Sequence, residues 1–534
     1  MDTDCAFMVA KVLKNLDVSK KSCTFAIQIP YSMKKHILFL LPLLLVACHR
    51  APQVLTRSGF VQGFIADQVE TYLGVPYAQA PIGDLRWREP QAVQPYDTVL
   101  MADHFRADPI QMTYYSDMIF RGKGQSEDCL YLNIWKPAKS DAPLPVLIYF
   151  NGGGWTGGSG SEPRYDGHNI AKKGLIAITA NYRLGIFGFM AHPTLTARSE
   201  HHTSGNYGLL DQVAAIQWVK DNIAAFGGDP HRITIAGESA GSFSVSVMMA
   251  SPLAKDNLAG CIGSSGAEFG PRYSAVPLAE NEQKYAHLME MKGLKIEELL
   301  SASAGDLVQL FSPMGMSAAS IDGYLLTEPV EETFLKNEQA QVPLLAGWNS
   351  KEMSPSWIMS GDYSLQAFRR AQGLLFGDRW DEVLALYAIR TDEDVLSQKG
   401  IDLMSDMFTG LATWTWCEAH RVAGHKVYRY YFLPARPSES DGLSPDGAVH
   451  SAEIEYAMNN LSGNKVYRWS TADYVLADRF STYYARFVKS GVPSDTWDAL
   501  SEKGETMLLD RDSCYVLNRH EVDERYRALL QVGF

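Results

Sequence analysis

The chain has 534 residues, 46% of them hydrophobic and 20% charged, which is the composition of a folded, enzyme-sized protein and excludes a disordered or fibrous one. A formal net charge of −13, with no clustered run of Lys and Arg, excludes a protein built to wrap nucleic acid, because neutralising phosphates takes a basic surface. Length alone permits one large domain or several small ones.

From Met33 the chain reads Lys34-Lys35-His36, then an apolar run from Ile37 to Ala47, then Cys48. This is the charged, hydrophobic and cleavage layout of an export signal, and the run is too short to span a bilayer. Leu45-Val46-Ala47-Cys48 resembles a bacterial lipobox, in which the cysteine becomes the lipid-modified first residue of the mature protein. The expectation is a discarded leader over 1–47 with Met33 as the true start. One domain follows over 48–534, exported and anchored through Cys48 to a membrane of a bacterial cell envelope. The competing reading is a buried apolar segment, for which the flanks offer no core pattern. Of the cysteines beyond the anchor, Cys129, Cys261, Cys417 and Cys514 show no metal-ligand spacing, and free, mostly buried thiols are expected.

No linker, repeat or compositional break follows Cys48, and short β-rich runs alternate with helical patterns, as in an α/β fold with a largely parallel sheet and helices on both faces. Several runs end in chemically informative residues. Val146–Phe150 leads to Asn151-Gly152-Gly153-Gly154, Leu175–Ala180 to Asn181-Tyr182-Arg183, and Ile233–Ala236 to Gly237-Glu238-Ser239-Ala240-Gly241. Val342–Ala346 leads to Gly347-Trp348-Asn349, and Val427–Phe432 to a Pro, Ser and Gly-rich loop that reaches His450. Ligand crevices of open α/β sheets lie beyond the carboxyl ends of the strands, where all of these fall. Between them, Leu210–Ala225 is predicted as a helix with Val213, Ile216, Val219 and Ile223 on one face and Gly227-Gly228 beyond its end.

A G-x-S-x-G pentapeptide is weak evidence by itself. Here a β-branched run precedes it and the helix-compatible stretch Ser242–Met249 follows, which makes a strand, elbow and helix. Glycines at 237 and 241 suit a tight elbow that strains Ser239 and brings strand and helix close. Ser239 is the candidate nucleophile. For Glu238 two readings stand: it tunes the field of the site, or it is a buried glutamate bonded to the sheet.

Gly152-Gly153-Gly154-Trp155 resembles the loops whose backbone N–H groups complete an oxyanion hole together with the residue after the serine. The expected donors are Gly153, Gly154 and Ala240. Asn151 stands where such loops usually carry His, a change of loop support because donation comes from the backbone. Gly152–Gly157 also fits a dinucleotide-binding fingerprint, but that motif must open a helix, and Gly158-Ser159-Gly160-Ser161-Glu162-Pro163 cannot continue as one.

A serine needs a histidine to take its proton and a carboxylate to fix the imidazole, and after a strand, elbow and helix these follow in the order acid, then His. His287, His420 and His425 fall in or beside helical or pre-strand segments and His520 lies near the C-terminus, whereas His450 follows a strand through a loop. For the acid, Glu352 competes on position with Asp322, Asp402 and Asp406.

Further segments carry a resemblance. Leu73-Gly74-Val75-Pro76-Tyr77-Ala78, Ser126-Glu127-Asp128-Cys129-Leu130, Asn181-Tyr182-Arg183-Leu184-Gly185, Gly205-Asn206-Tyr207-Gly208-Leu209 and Phe226-Gly227-Gly228-Asp229-Pro230 occur in one order. Together they resemble the type-B carboxylesterase and cholinesterase group of α/β-hydrolases over about Gly63 to Pro493. By that resemblance Glu352 matches the acid and His450 the base. The implied activity is hydrolysis of small-molecule carboxylic esters through an acyl-enzyme, without metal or cofactor. The alternatives are a non-catalytic binding protein on the same fold and a lipase acting at lipid interfaces. Two departures from the family pattern stand out. Cys129 lacks its usual upstream partner, and Trp155 replaces a usual Phe, with a narrowed acyl pocket as the expectation.

Overall fold

The computed structural model describes residues 51–112, 117–311, 318–376, 379–437 and 447–533. The expected leader, Met33 and the Cys48 anchor lie outside them. Near the amino end three short strands, β1 (Gln53–Thr56), β2 (Gly59–Gln62) and β5 (Leu100–Met101), form a small sheet of their own. The large sheet has eleven strands: β3 (Phe64–Ala66), β4 (Val69–Pro76), β6 (Tyr131–Pro137), β7 (Leu144–Phe150), β8 (Ile176–Ala180), β9 (Gly228–Glu238), β10 (Gly260–Ser264), β11 (Leu344–Asn349), β12 (Val427–Phe432), β13 (Glu505–Leu509) and β14 (Cys514–Asn518).

Their spatial order is β14-β13-β12-β11-β10-β9-β7-β8-β6-β4-β3. Every pairing from β13 to β8 is parallel, and antiparallel strands close both edges. The sheet continues past β12 by two strands that the sequence patterning did not single out. From Pro52 to Phe534 the chain forms one compact unit.

Both faces of the parallel strands are covered, so they carry nearly continuous apolar runs. In β7, Val146, Ile148 and Phe150 enter one core cluster while Leu147 and Tyr149 enter the other, as the two-residue period of a strand requires. The first core packs against helix α1 (Tyr207–Asn222), where Ile216 and Val219 are fully buried. The second packs against helix α4 (Thr471–Ser490) through Leu476, Phe480 and Tyr484. Helices α2 (Ala240–Ala250) and α3 (Leu411–Val422) complete the surroundings of the site. The helix expected over 210–225 begins three residues earlier and ends in a tight turn, Ile223–Phe226, closed by Gly227 at φ +82°. Cys129, Cys261, Cys417 and Cys514 are free thiols, the first three buried, in line with expectation.

Candidate active site

β9 ends at Glu238 and α2 begins at Ala240, so Ser239 is the whole of the elbow between them. Its backbone sits at φ +54° and ψ −125°, a region costly for any residue with a Cβ. The flanking glycines serve close approach instead. A Cβ on Gly241 would lie 2.1 Å from the carbonyl oxygen of Phe150, and one on Gly237 2.3 Å from Gly241.

The glycine loop after β7 leans on this elbow. A Cβ on Gly152 would lie 2.6 Å from the Glu238 carbonyl oxygen and 3.0 Å from the Ser239 Cβ. Gly153, Gly154 and Trp155 follow with φ of +106°, +63° and +57°. The N–H groups of Gly153, Gly154 and Ala240 donate to no partner among the described residues. The last of these also stands at a helix N-terminus, where the helix dipole favours negative charge. Asn151 braces the loop from within, its Nδ2 donating to the Gly152 carbonyl at 3.0 Å, while Tyr182 donates to the Asn151 carbonyl at 2.7 Å.

Trp155 departs from expectation. Its indole is 1% exposed, stacked on Phe189 at 5.1 Å and donating to Ser244 Oγ at 3.0 Å. It packs as part of the interior, with no face open to a pocket that it could narrow.

β11 and the loop after β12 bring the other two expected residues together. Lys351 N–H donates to the Ala448 carbonyl at 2.8 Å and Ala448 N–H to Ser350 Oγ at 2.9 Å, which ties the two loops side by side. His450 Nδ1 then lies 2.6 Å from Glu352 Oε2. A carboxylate only accepts, so Nδ1 carries the proton and Nε2 lies on the side of Glu238, the residue before the elbow. Glu352 is fully buried, and its other oxygen accepts from the Asn349 amide at 2.6 Å and from Ser265 Oγ at 2.5 Å.

The rival carboxylates are spent elsewhere. Asp322 Oδ1 accepts from the amides of Tyr324, Leu325 and Leu326. Asp402 accepts from Gln398, and Asp406 is held by Tyr387, Tyr526 and Arg525. The other downstream histidines are likewise engaged outside the elbow. His420 Nε2 contacts the Val342 carbonyl at 2.8 Å, and burial lowers its pKa to about 4. His425 meets Asn337, His287 lies on the surface near Glu290, and His520 lies near Glu524.

Several participants escaped sequence reasoning. Glu238, left open there, is buried with its Oε1 3.2 Å from His450 Nε2. Burial raises its pKa well above the usual carboxylate range. Burial works the other way on the imidazolium, but the charges of Glu238 and Glu352 outweigh it, and the pKa of His450 is raised. Glu453 accepts from Asn349 Nδ2 at 2.6 Å and is also raised by burial and by the charge of Glu352. Phe408, on a π-helical turn from Asp406 to Gly410, places its ring 4.9 Å from the imidazole, edge to face. Ser265 stands just past the carboxyl end of β10, a position that the end-of-strand rule could have flagged.

Behind His450, two buried arginines hold the chain as it leaves the site. Arg436 Nη2 donates to the Ser451 carbonyl at 2.7 Å and to Glu455 at 3.1 Å. Arg164 Nη1 donates to Ser451 Oγ at 3.3 Å and to Asp117 at 3.0 Å, with its Nε on Glu162. Ser451 itself has φ +67°.

A strained serine, an imidazole fixed by a buried carboxylate and a set of free amides at the carboxyl ends of a parallel sheet define a serine hydrolase of the α/β-hydrolase class. The chain belongs to the carboxylesterase family, whose model matches residues 50–528. It is 34% identical over 485 residues to the fumonisin B1 esterase of Sphingopyxis macrogoltabida, with 85% of each chain covered. With the para-nitrobenzyl esterase of Bacillus subtilis it shares 29% identity over 509 residues, 90% of this chain and 99% of that one. Among solved structures, a PNB esterase matches with a TM-score of 0.78 at 28% identity, covering 90% of this chain and 99% of that one. A carboxylesterase of Geobacillus stearothermophilus matches with a TM-score of 0.76 at 27% identity, covering 89% and 99%.

Proposed function

We propose that this carboxylic ester hydrolase works by two-step acyl transfer on Ser239. His450 takes the serine proton as Oγ attacks the ester carbonyl, and Glu352 stabilises the imidazolium that forms. The amides of Gly153, Gly154 and Ala240 receive the oxyanion. His450 returns the proton to the departing alcohol, and water activated by the same imidazole then releases the acid. The observation that carries this reading is the 2.6 Å contact of His450 Nδ1 with Glu352, which leaves Nε2 on the side of Glu238, the residue before the strained serine.

Covalent labelling with a fluorophosphonate tests it. The wild type should label at Ser239 and Ser239→Ala should not; equal labelling of the two would refute the assignment. The relatives named above are an esterase of fumonisin B1 and a para-nitrobenzyl esterase, so the substrate class proposed is small-molecule carboxylic esters. Rates on aryl, alkyl, feruloyl and acetylated-sugar esters, below and above their solubility limits, rank the acyl and alcohol groups and separate an esterase from a lipase.

We further propose that the chain is exported and anchored through lipid on Cys48. The support is the basic, apolar and Leu45-Val46-Ala47-Cys48 layout of the sequence. No helix among the described residues is long and apolar enough to cross a membrane. Incorporation of labelled fatty acid, lost in Cys48→Ala, is the check.

A further inference from the structure

The small amino-terminal sheet has an inner and an outer face. Val54 and Val61 point inward into the first core, with Leu100 packed against it. Between their positions the chain alternates outward, and register decides which residues meet there. Leu55 pairs directly with Phe60 across β1 and β2, and Gln53 pairs with Gln62, their side chains hydrogen-bonded at 2.7 Å. Met101 is the partner of Gln62 across β2 and β5, and Val99, two residues earlier, returns to the same side.

A sheet with one face in the core presents polar residues on the other. This one presents Leu55, Phe60, Val99 and Met101 at 59%, 47%, 41% and 45% exposure, relieved only by the two glutamines. Singly exposed apolar side chains need no explanation, but a contiguous group on one small face marks a surface that something covers.

Chain connectivity says what. β1 begins at Gln53, and the segment from Cys48 to Gln53 can span at most about 17 Å. A lipid on Cys48 would hold this sheet next to the bilayer at high effective concentration, so a patch too small to bind membrane unaided would suffice. Arg50, in the segment between Cys48 and β1, adds a positive charge suited to an anionic surface.

We propose that this outer face of Leu55, Phe60, Val99 and Met101 lies against the lipid surface to which Cys48 tethers the chain, fixing the orientation of the enzyme on the membrane. The proposal rests on the anchor proposed above.

The experiment uses the full chain on vesicles of phosphatidylethanolamine and phosphatidylglycerol, in a Cys514→Ser background. An environment-sensitive fluorophore is attached at Gln62→Cys, on the face itself, or at Val422→Cys, which is 72% exposed at the end of α3. Ester hydrolysis by each labelled protein reports its fold, and the mass of the amino-terminal peptide reports the lipid on Cys48. The label at 62 should brighten severalfold on vesicles and be quenched by spin-labelled lipid, and the response should be lost in Leu55→Ser/Phe60→Ser, while the label at 422 stays aqueous. A lipidated chain whose label at 62 stays as aqueous as that at 422 overturns the docking and leaves the anchor standing. An unlipidated chain, read from that mass, overturns the anchor and with it the proposal. Brightening without vesicles that grows with protein concentration assigns the face to a second copy and overturns the proposal.

Discussion

His450 Nε2 lies 3.2 Å from Glu238 Oε1, on the opposite side of the ring from Glu352, so the imidazole stands between two buried carboxylates. Glu352 orients the ring, whereas Glu238 faces the nitrogen that would accept the serine proton in the proposed mechanism. A negative charge there favours the imidazolium and so raises the pH at which His450 becomes a base.

The first prediction follows from that sign. Glu238→Gln removes a charge that holds the pKa of His450 up, so the imidazolium deprotonates at lower pH. The acidic limb of kcat/KM against pH should move to lower pH. A limb that moves up, or stays, contradicts the assigned pairing.

Glu352→Gln also removes a supporting charge, and it disturbs the tautomer besides. The expected loss in kcat is about 10²- to 10⁴-fold with KM little changed, measured on a chromogenic ester. The corresponding changes at Asp322, Asp402 and Asp406 should leave kcat within a fewfold of wild type.

Ser239→Ala should lower kcat by about 10⁴-fold or more. Ser239→Gly should be equally inactive, yet more stable than Ser239→Ala by roughly 1 kcal/mol, because glycine adopts φ +54°, ψ −125° without a Cβ penalty. Urea midpoints of the two inactive proteins give the comparison.

Arg164→Met leaves Glu162 buried without its guanidinium. Loss of one partner of a buried pair costs about 3–5 kcal/mol, and urea unfolding should show it. The same change slackens Ser451, so kcat should fall as well.

Much of this architecture was legible in the chain. The runs ending at Phe150, Ala180, Ala236 and Phe432 are apolar and β-branched or aromatic because both sheet faces are covered, and that composition marks them as strands in the sequence. Ser239 was legible because strand, glycines and helix are local. Glu352 was not separable from Asp322, Asp402 or Asp406 by position alone, since what distinguishes them is the company their carboxyls keep after folding. The same holds for Glu238 beside His450, Phe408 against the imidazole and Arg436 beneath Ser451, each joined by contacts between distant segments. The burial of Trp155 is likewise not legible, because a residue type does not disclose whether its side chain packs into the interior or lines an opening.

The glycines at 237 and 241 and the strain at Ser239 have different histories available to them. Gly241 is required by its seat against the Phe150 carbonyl, where an added Cβ would lie 2.1 Å from the oxygen. A descendant that abandoned chemistry and kept the fold would still need it. Nothing in the packing asks for a left-handed side chain at 239, where drift toward glycine would relax the turn. In a lineage where hydrolysis ceased to matter, position 239 would be free to change while 241 stayed fixed.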